Sequence, residues 1–250
     1  MNTNGNIYTI VYSTIIVCVV AAILAFAASS LKPLQQANEK AETISQILSA
    51  AKLDVPSGND AIINSYKEQI AEAYTVSLDG EKNGELSTAD ASVCTTSGLK
   101  AQNYKIAEGQ GAALPVYVFK NGVRVVPIYG AGLWGPVWGY VAVNPDGTIC
   151  GATFDHASET PGLGGKIKDE PSFRAQLEGK IFDFSDVKPI QIVKGGAPEG
   201  KVNAIDAISG ATMTSQGLED AINVWIKAYK PVFDAAPACG ECTESESSEN

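Results

Sequence analysis

LPVYVFK-NG-VRVVPIYG, residues 114–130, is the stretch on which the fold turns. Two runs rich in Val, Ile, Tyr and Phe flank Asn121-Gly122, a pair that suits a type I′ turn because both residues tolerate positive φ. The segment predicts a β-hairpin. A second follows at once, with WGYVAV (138–143) and TICGATF (148–154) on either side of Asn144-Pro145-Asp146-Gly147. Upstream the period is helical. In PLQQANEKAETISQILSAAK (33–52), Leu34, Ala37, Ala41, Ile44, Leu48 and Ala51 recur at alternating steps of three and four, one apolar stripe expected to pack on its own domain. Asp54–Asp60 breaks this helix, and a second is expected from Ala61 to about Tyr74, with Ile62, Ile63, Tyr66 and Ile70 apolar. Downstream, Phe173–Leu177 reads as a short helix and Ile190–Val193 as a short strand. A last helix, Ser215–Tyr229, should bury Leu218, Ile222, Trp225, Ile226 and Tyr229 before Pro231 ends it. Helices before and after an antiparallel sheet imply an α+β fold.

Ahead of all this, Ile7–Ala28 (IYTIVYSTIIVCVVAAILAFAA) runs 22 residues without a charge. At about 1.5 Å per residue it can cross a ~30 Å hydrocarbon core. Ala25-Phe26-Ala27 resembles a signal-peptidase site, but the first residues, MNTNGN, carry no Lys or Arg and the apolar run is too long for a signal peptide. An uncleaved single-pass anchor is the reading. Lys32 alone follows it closely, so charge hardly specifies its orientation. The span contains no ionisable side chain and offers no ion pathway of its own.

The formal charge of −10, with a single His, excludes an electrostatic nucleic-acid footprint. Half of that charge lies after Pro231, where Asp234, Glu241, Glu244, Glu246 and Glu249 meet no Lys or Arg. Cys18, Cys94 and Cys150 stand alone. Cys239 and Cys242 form one C-x-x-C, two ligands where a structural zinc needs four, so a tail disulfide or idle thiols are preferred. The expected organisation is an N-terminal segment (1–6), a transmembrane helix (7–28), a helical membrane-proximal segment (29–100), an α+β domain (101–232) and an acidic disordered tail (233–250).

Three segments could carry chemistry. In DAISGATMTS (206–215), Gly210 and Ala211 let a large planar group approach the backbone. Thr212, Thr214 and Ser215 place hydroxyls before a helix whose unpaired N–H groups favour a phosphate. The plainer alternative is that Thr214 or Ser215 only caps the helix. In FDHASETPGLGG (154–165), three glycines and a proline within five residues demand an irregular loop, and His156 alone offers no metal site. In GLWGPVWGY (132–140), Trp134 and Trp138 read as core aromatics, or Trp134 as the wall of a ring-binding site. Lys194, in KGGA (194–197), could neutralise a phosphate or simply face solvent. There is no G-x-G-x-x-G nicotinamide motif and no four-cysteine iron–sulfur pattern.

These segments together resemble the covalent FMN-binding subunits of the Na⁺-translocating NADH:quinone reductase and of the related Rnf electron-transport complex. DAISGATMTS is similar to their attachment motif, in which the threonine closing S-G-A-T bears FMN through a phosphoester bond; here that is Thr212. The resemblance implies a flavin transferase that uses FAD and reads Asp206 and the small residues Ser209, Gly210 and Ala211, with Thr214 as the competing hydroxyl and Ser215 beside it. Glu159, Thr160, Gly162, Leu163 and Gly164 match the family's E-T-P-G-L-G loop, which lies against the flavin ring. Ala157-Ser158 depart from the glycine often found there. The GLWG segment and the long stretch between anchor and sheet favour the sodium pump's FMN-binding C subunit over the shorter G subunit of Rnf. The resemblance further implies an electron-relay subunit of a six-subunit assembly in the bacterial inner membrane. Its flavin domain would lie on the periplasmic side, and partner subunits would supply NADH oxidation and pass electrons toward quinone. A flavin-free, membrane-tethered scaffold is the rival from another class.

Overall fold

Asn6–Ala50 forms one continuous helix, α1. This is a computed structural model, and it describes residues 5–234; the Cys239/Cys242 pair and nearly all of the acidic tail lie outside them. The span and the helix expected after it are thus a single element with Pro33 inside. Proline removes one hydrogen bond there, but the Ala, Leu, Gln, Glu and Lys residues around it are good helix formers. It is one helix long and apolar enough to cross a membrane. From Thr9 to Glu39 every residue is exposed. Only then does packing begin. Ala41, Ile44, Leu48 and Ala51 of the stripe are buried together with Ile47 and Ala50, whereas Leu34 and Ala37 are exposed.

After α1 come α2 (Asn59–Gln69), β1 (Ile70–Val76), β2 (Lys82–Glu85) and α3 (Thr96–Glu108). The second helix therefore ends five residues before Tyr74, and the helical reading of residues 29–100 is corrected over β1 and β2. Ile70–Val76 pairs antiparallel with a strand forty residues on, Tyr74 opposite Val116, and that pairing overrides the local helical period. The two hairpins follow as read: β3 (Leu114–Phe119), β4 (Arg124–Ala131), β5 (Pro136–Val143) and β6 (Ile149–His156). Their order in the antiparallel sheet is β2-β1-β3-β4-β5-β6.

The first turn is not type I′. Gly122 takes φ 81° but Asn121 does not enter the positive region. Phe119 accepts from Gly122 N at 2.9 Å and donates to Val123 O at 2.9 Å. This is a three-residue loop closed by a left-handed glycine, a common hairpin alternative. The second hairpin is built alike, with Gly147 at φ 87°.

The chain ends with α4 (Lys166–Asp169), α5 (Pro171–Ala175), β7 (Gln191–Val193), β8 (Ala204–Asp206), α6 (Thr212–Ala228) and α7 (Lys230–Asp234). Strands β7 and β8 pair in parallel, apart from the main sheet. Pro231 falls within α7 rather than ending α6.

Both faces of the sheet are covered, which explains why LPVYVF shows no polar alternation. Tyr117, Phe119, Val125, Tyr140 and Ala142 face the end of α1 and α2. Val116, Val126, Ile128, Val141 and Phe154 face Leu218, Ile222, Trp225 and Ile226 of α6. Helix α6 approaches so closely that a Cβ on Gly130 would lie 2.5 Å from Ala221 Cβ. Its start is thereby held at the end of β4 where the GLWG segment begins.

Candidate functional site

Glu159 is the hub. Its side chain is buried, 4 % exposed, between three segments far apart in sequence. Oε1 accepts from Trp134 N at 2.9 Å and Oε2 accepts from Thr214 Oγ1 at 2.6 Å. One carboxylate therefore joins the GLWG segment, the ETPGLG loop and the first turn of α6. Ser158 Oγ adds a bond to Trp134 O at 2.7 Å. Space at the hub is scarce: a Cβ on Gly164 would strike Glu159 Oε2 and lie 2.6 Å from Thr214 Oγ1, and one on Gly132 would lie 2.5 Å from Glu159 Oε1.

The loop folds on itself, Thr160 O accepting from Leu163 N and Gly165 N at 3.1 and 3.0 Å. Gly162 turns it with φ 76°. Leu163 then reaches the turn before α6, where a Cβ on Gly210 would meet Leu163 Cδ2 at 3.0 Å. Gly210 itself has φ 78°, a conformation other residues adopt only at a cost.

The hydroxyls of the attachment motif have separate fates. Thr214 is 1 % exposed and spent on Glu159. Ser215 is equally buried, its Oγ accepting from Ile208 N at 3.1 Å and so pinning the turn. Neither caps α6. The N-cap is Ala211, with no side-chain bond to the helix, so the first-turn N–H groups are free of a side-chain partner. Thr212, first residue of the helix, is half-buried and its hydroxyl makes no hydrogen bond among the described residues. Ser209 is exposed.

Asp206 ends β8, exposed, with Oδ1 accepting from Ala197 N at 2.7 Å. It organises the KGGA loop, while its own N–H bonds Gln176 Oε1 at 2.8 Å. Beneath it, Glu219 and Asn223 of α6 hold the backbone of Ile192 and Ile190 at 3.0 Å each. Lys194 is exposed and makes no ion pair or hydrogen bond through its side chain among the described residues. Trp134 is not a core aromatic: it is 66 % exposed and lies beside exposed Leu133, while Trp138 is half-buried. Leu163 and Met213 complete an apolar exposed rim on the segments that Glu159 ties together.

Other contributors flank the matched loop. His156 Nδ1 accepts from Glu159 N at 3.1 Å and sets the start of the loop. Asp155, also buried, accepts from Gln46 of α1 at 2.9 Å, from Lys168 at 2.8 Å and from His156 N at 2.8 Å. Burial works to lower the pKa of the Lys168 ammonium, but the hydrogen bond and charge of Asp155 outweigh it and raise it above the ordinary lysine value. Gln46 and Asp155 are 109 positions apart, a contact that no local pattern signals.

The tightness of the hub makes a prediction. Gly164→Ala should lower stability by about 1–3 kcal/mol, as over-packing typically does. It should also loosen the loop, which limited proteolysis between Glu159 and Lys166 would detect. Unchanged melting and proteolysis would show that the hub has slack.

An unengaged hydroxyl at an uncapped helix start, small residues at the turn and an exposed apolar rim suit a phosphate that bears a large planar ring. Comparison with known proteins agrees. The model of the FMN-binding domain family matches residues 132–227, from the GLWG segment to the end of α6. The C subunit of the Na(+)-translocating NADH-quinone reductase of Vibrio vulnificus is 33% identical over 223 residues, covering 83% of this chain and 86% of the relative. The crystal structure of the same C subunit from Parabacteroides distasonis superposes with a TM-score of 0.69 at 31% identity, over 83% of this chain and 98% of that one. Shewanella oneidensis NqrC gives 0.65 at 27% identity, over 79% and 97%.

Proposed function

Because the chain belongs to the family of C subunits of the Na(+)-translocating NADH-quinone reductase, we propose that it carries FMN covalently on Thr212 and relays electrons within that membrane complex. The observation that carries the attachment reading is the contrast within one helical turn: Thr212 is free and half-exposed, Thr214 is buried and engaged. When bound, the isoalloxazine supplies the reversible uptake and release of electrons.

The chain's own residues hold and surround it. The Thr212 oxygen anchors the phosphate. The uncapped N–H groups and positive end of the 17-residue α6 favour its negative charge. Gly210 and Ala211 leave room at the turn. Leu163, Trp134, Leu133 and Met213 give the ring an apolar border and exclude water from it. Glu159, Gly164, Gly162 and Thr160 act by shaping the loop rather than by touching the phosphate. Lys194 stands on the loop bound by Asp206, available to an incoming phosphate and without a side-chain partner among the described residues.

The helix that spans the membrane continues into the domain and ends against β5 and β6, so anchor and flavin domain are mechanically one. The finer reading is a six-subunit assembly in the bacterial inner membrane, with the domain on the periplasmic side and a flavin transferase attaching FMN from FAD. That transferase would read Asp206, whose exposed carboxylate marks the edge of the motif. The same reading divides the chain into a 29–100 membrane-proximal segment, which lends β1 and β2 to the sheet, and a 101–232 flavin domain. The relatives named above are C subunits of the sodium pump, which favours that branch over Rnf.

Fragment-level mass spectrometry of the chain, co-produced with a flavin transferase, should place FMN on Thr212. A chain with no covalent flavin would return the scaffold reading to first place. In Asp206→Ala, flavin incorporation should fall severalfold while the melting temperature changes little, since only the Ala197 bond is lost, about 1 kcal/mol at an exposed site. Normal incorporation would remove Asp206 from the recognised motif.

A further inference from the structure

Thr212 and Thr214 are two positions apart on α6, roughly 200° around its axis. Thr214 Oγ1 points into the hub and donates a hydrogen bond to Glu159 Oε2 at 2.6 Å. Thr212 is turned the other way. Both hydroxyls belong to the same chemical class and to the same helix end, so nothing in their reactivity separates them. Their surroundings do.

We propose that Glu159 is a specificity-determining residue for flavin attachment: by holding the Thr214 hydroxyl inside the hub it leaves Thr212 the reactive hydroxyl of the helix's first turn. This rests on the covalent FMN reading above and adds a role for a residue that does not itself take the cofactor. The step it controls is a transfer from flavin adenine dinucleotide. A threonine oxygen forms a bond to the FMN phosphorus as the pyrophosphate P–O bond breaks; AMP departs, the hydroxyl proton goes to a base or to solvent, and no electrons change hands.

A neighbouring carboxylate could instead make Thr214 the better nucleophile by drawing off its proton. Space forbids that. With Thr214 1 % exposed and its Oγ1 so near Gly164 that a Cβ there would stand 2.6 Å away, a phosphorus atom has no line of approach. The second bond of Glu159, from Trp134 N, keeps the carboxylate from swinging out with the threonine. Removing the side chain would open the space beside Thr214 and let Oγ1 rotate toward solvent.

The test uses the full chain co-produced with a flavin transferase and reads FMN peptide by peptide. In Thr212→Val, flavin should vanish and none should appear on Thr214. In Thr212→Val with Glu159→Ala, FMN should appear on Thr214 at about 10-fold or more above the background signal of the single variant, the scale set by a lost charge-assisted hydrogen bond. Thr212→Val with Gly164→Ala, which disturbs the hub but leaves Glu159 in place, should show no FMN on Thr214 and so separates the Glu159 bond from mere loosening. Should the Glu159→Ala double variant fail to fold, Thr212→Val with Glu159→Ser serves, because Ser also clears the space beside Thr214 while keeping a polar group in the hub. FMN on Thr214 in the single variant or with Gly164→Ala, or none in a folded Glu159 double variant, overturns the proposal. Wild-type protein without FMN on Thr212 would instead overturn the attachment reading on which it rests.

Discussion

Thr212→Ala abolishes covalent flavin: the chain loses its in-gel fluorescence under denaturing conditions and the mass increment of FMN, while Thr214→Ala keeps most of both. The expectation follows from three features of one turn. Thr212 Oγ1 has no internal partner among the described residues, the helix behind it has no side-chain cap, and Thr214 is already bonded to Glu159. The fold should be indifferent to losing Thr212, because a half-exposed side chain without partners contributes within about 0.5 kcal/mol. Thr214→Ala should behave in the opposite manner, melting lower because it strands Glu159 Oε2 in a buried position, at about 1–3 kcal/mol. Full flavin in Thr212→Ala would mean that another hydroxyl is the acceptor, with exposed Ser209 the first to test.

The largest loss of stability is expected from Trp225→Ala. This indole is fully buried between α6 and the sheet, packs on Tyr229 at 6.3 Å between ring centroids and donates from Nε1 to Asn103 of α3 at 2.9 Å. Truncating a buried Trp to Ala costs about 3–5 kcal/mol. Set against the roughly 5–15 kcal/mol typical of a domain, that is about a fifth of the total or more. Because α6 carries Thr212 at its other end, the variant should also incorporate less flavin in proportion to the unfolded fraction. Urea denaturation reads the first effect and fluorescence the second. A midpoint within error of the wild type would show that α6 is not held by its aromatic core.

Local pattern proved a good guide where a residue's neighbours in sequence are also its neighbours in space. Asn121-Gly122 and Asn144–Gly147 marked two hairpins because a turn is decided by the residues that make it. Leu218, Ile222, Trp225, Ile226 and Tyr229 marked the buried face of α6 because helical period and burial coincide there. Pattern misled where a distant partner intervened. Ile70–Tyr74 carries a helical period, yet it pairs with β3, and that contact decides. The strand β2 and the helix α3 carried too weak a period to be read.

The same division holds within the site. The hydroxyls, small residues and loop that surround Thr212 were all legible in the sequence as chemical possibilities. Trp134, open between core and surface, proved exposed because GLWG runs along the outer end of β4 and β5. Gln46, which carries no motif, entered only through its contact with Asp155 across 109 positions.

By itself, then, the sequence determined the uncharged anchor, the two hairpins, the amphipathic last helix and the set of candidate attachment residues. Each depends on residues within one or two turns of the chain. Which hydroxyl is free and which is spent was decided only by tertiary structure. Glu159 is 55 positions from Thr214, and only the packing of α6 on the sheet, beside the loop that follows β6, brings a carboxylate within 2.6 Å of that hydroxyl and leaves Thr212 facing outward.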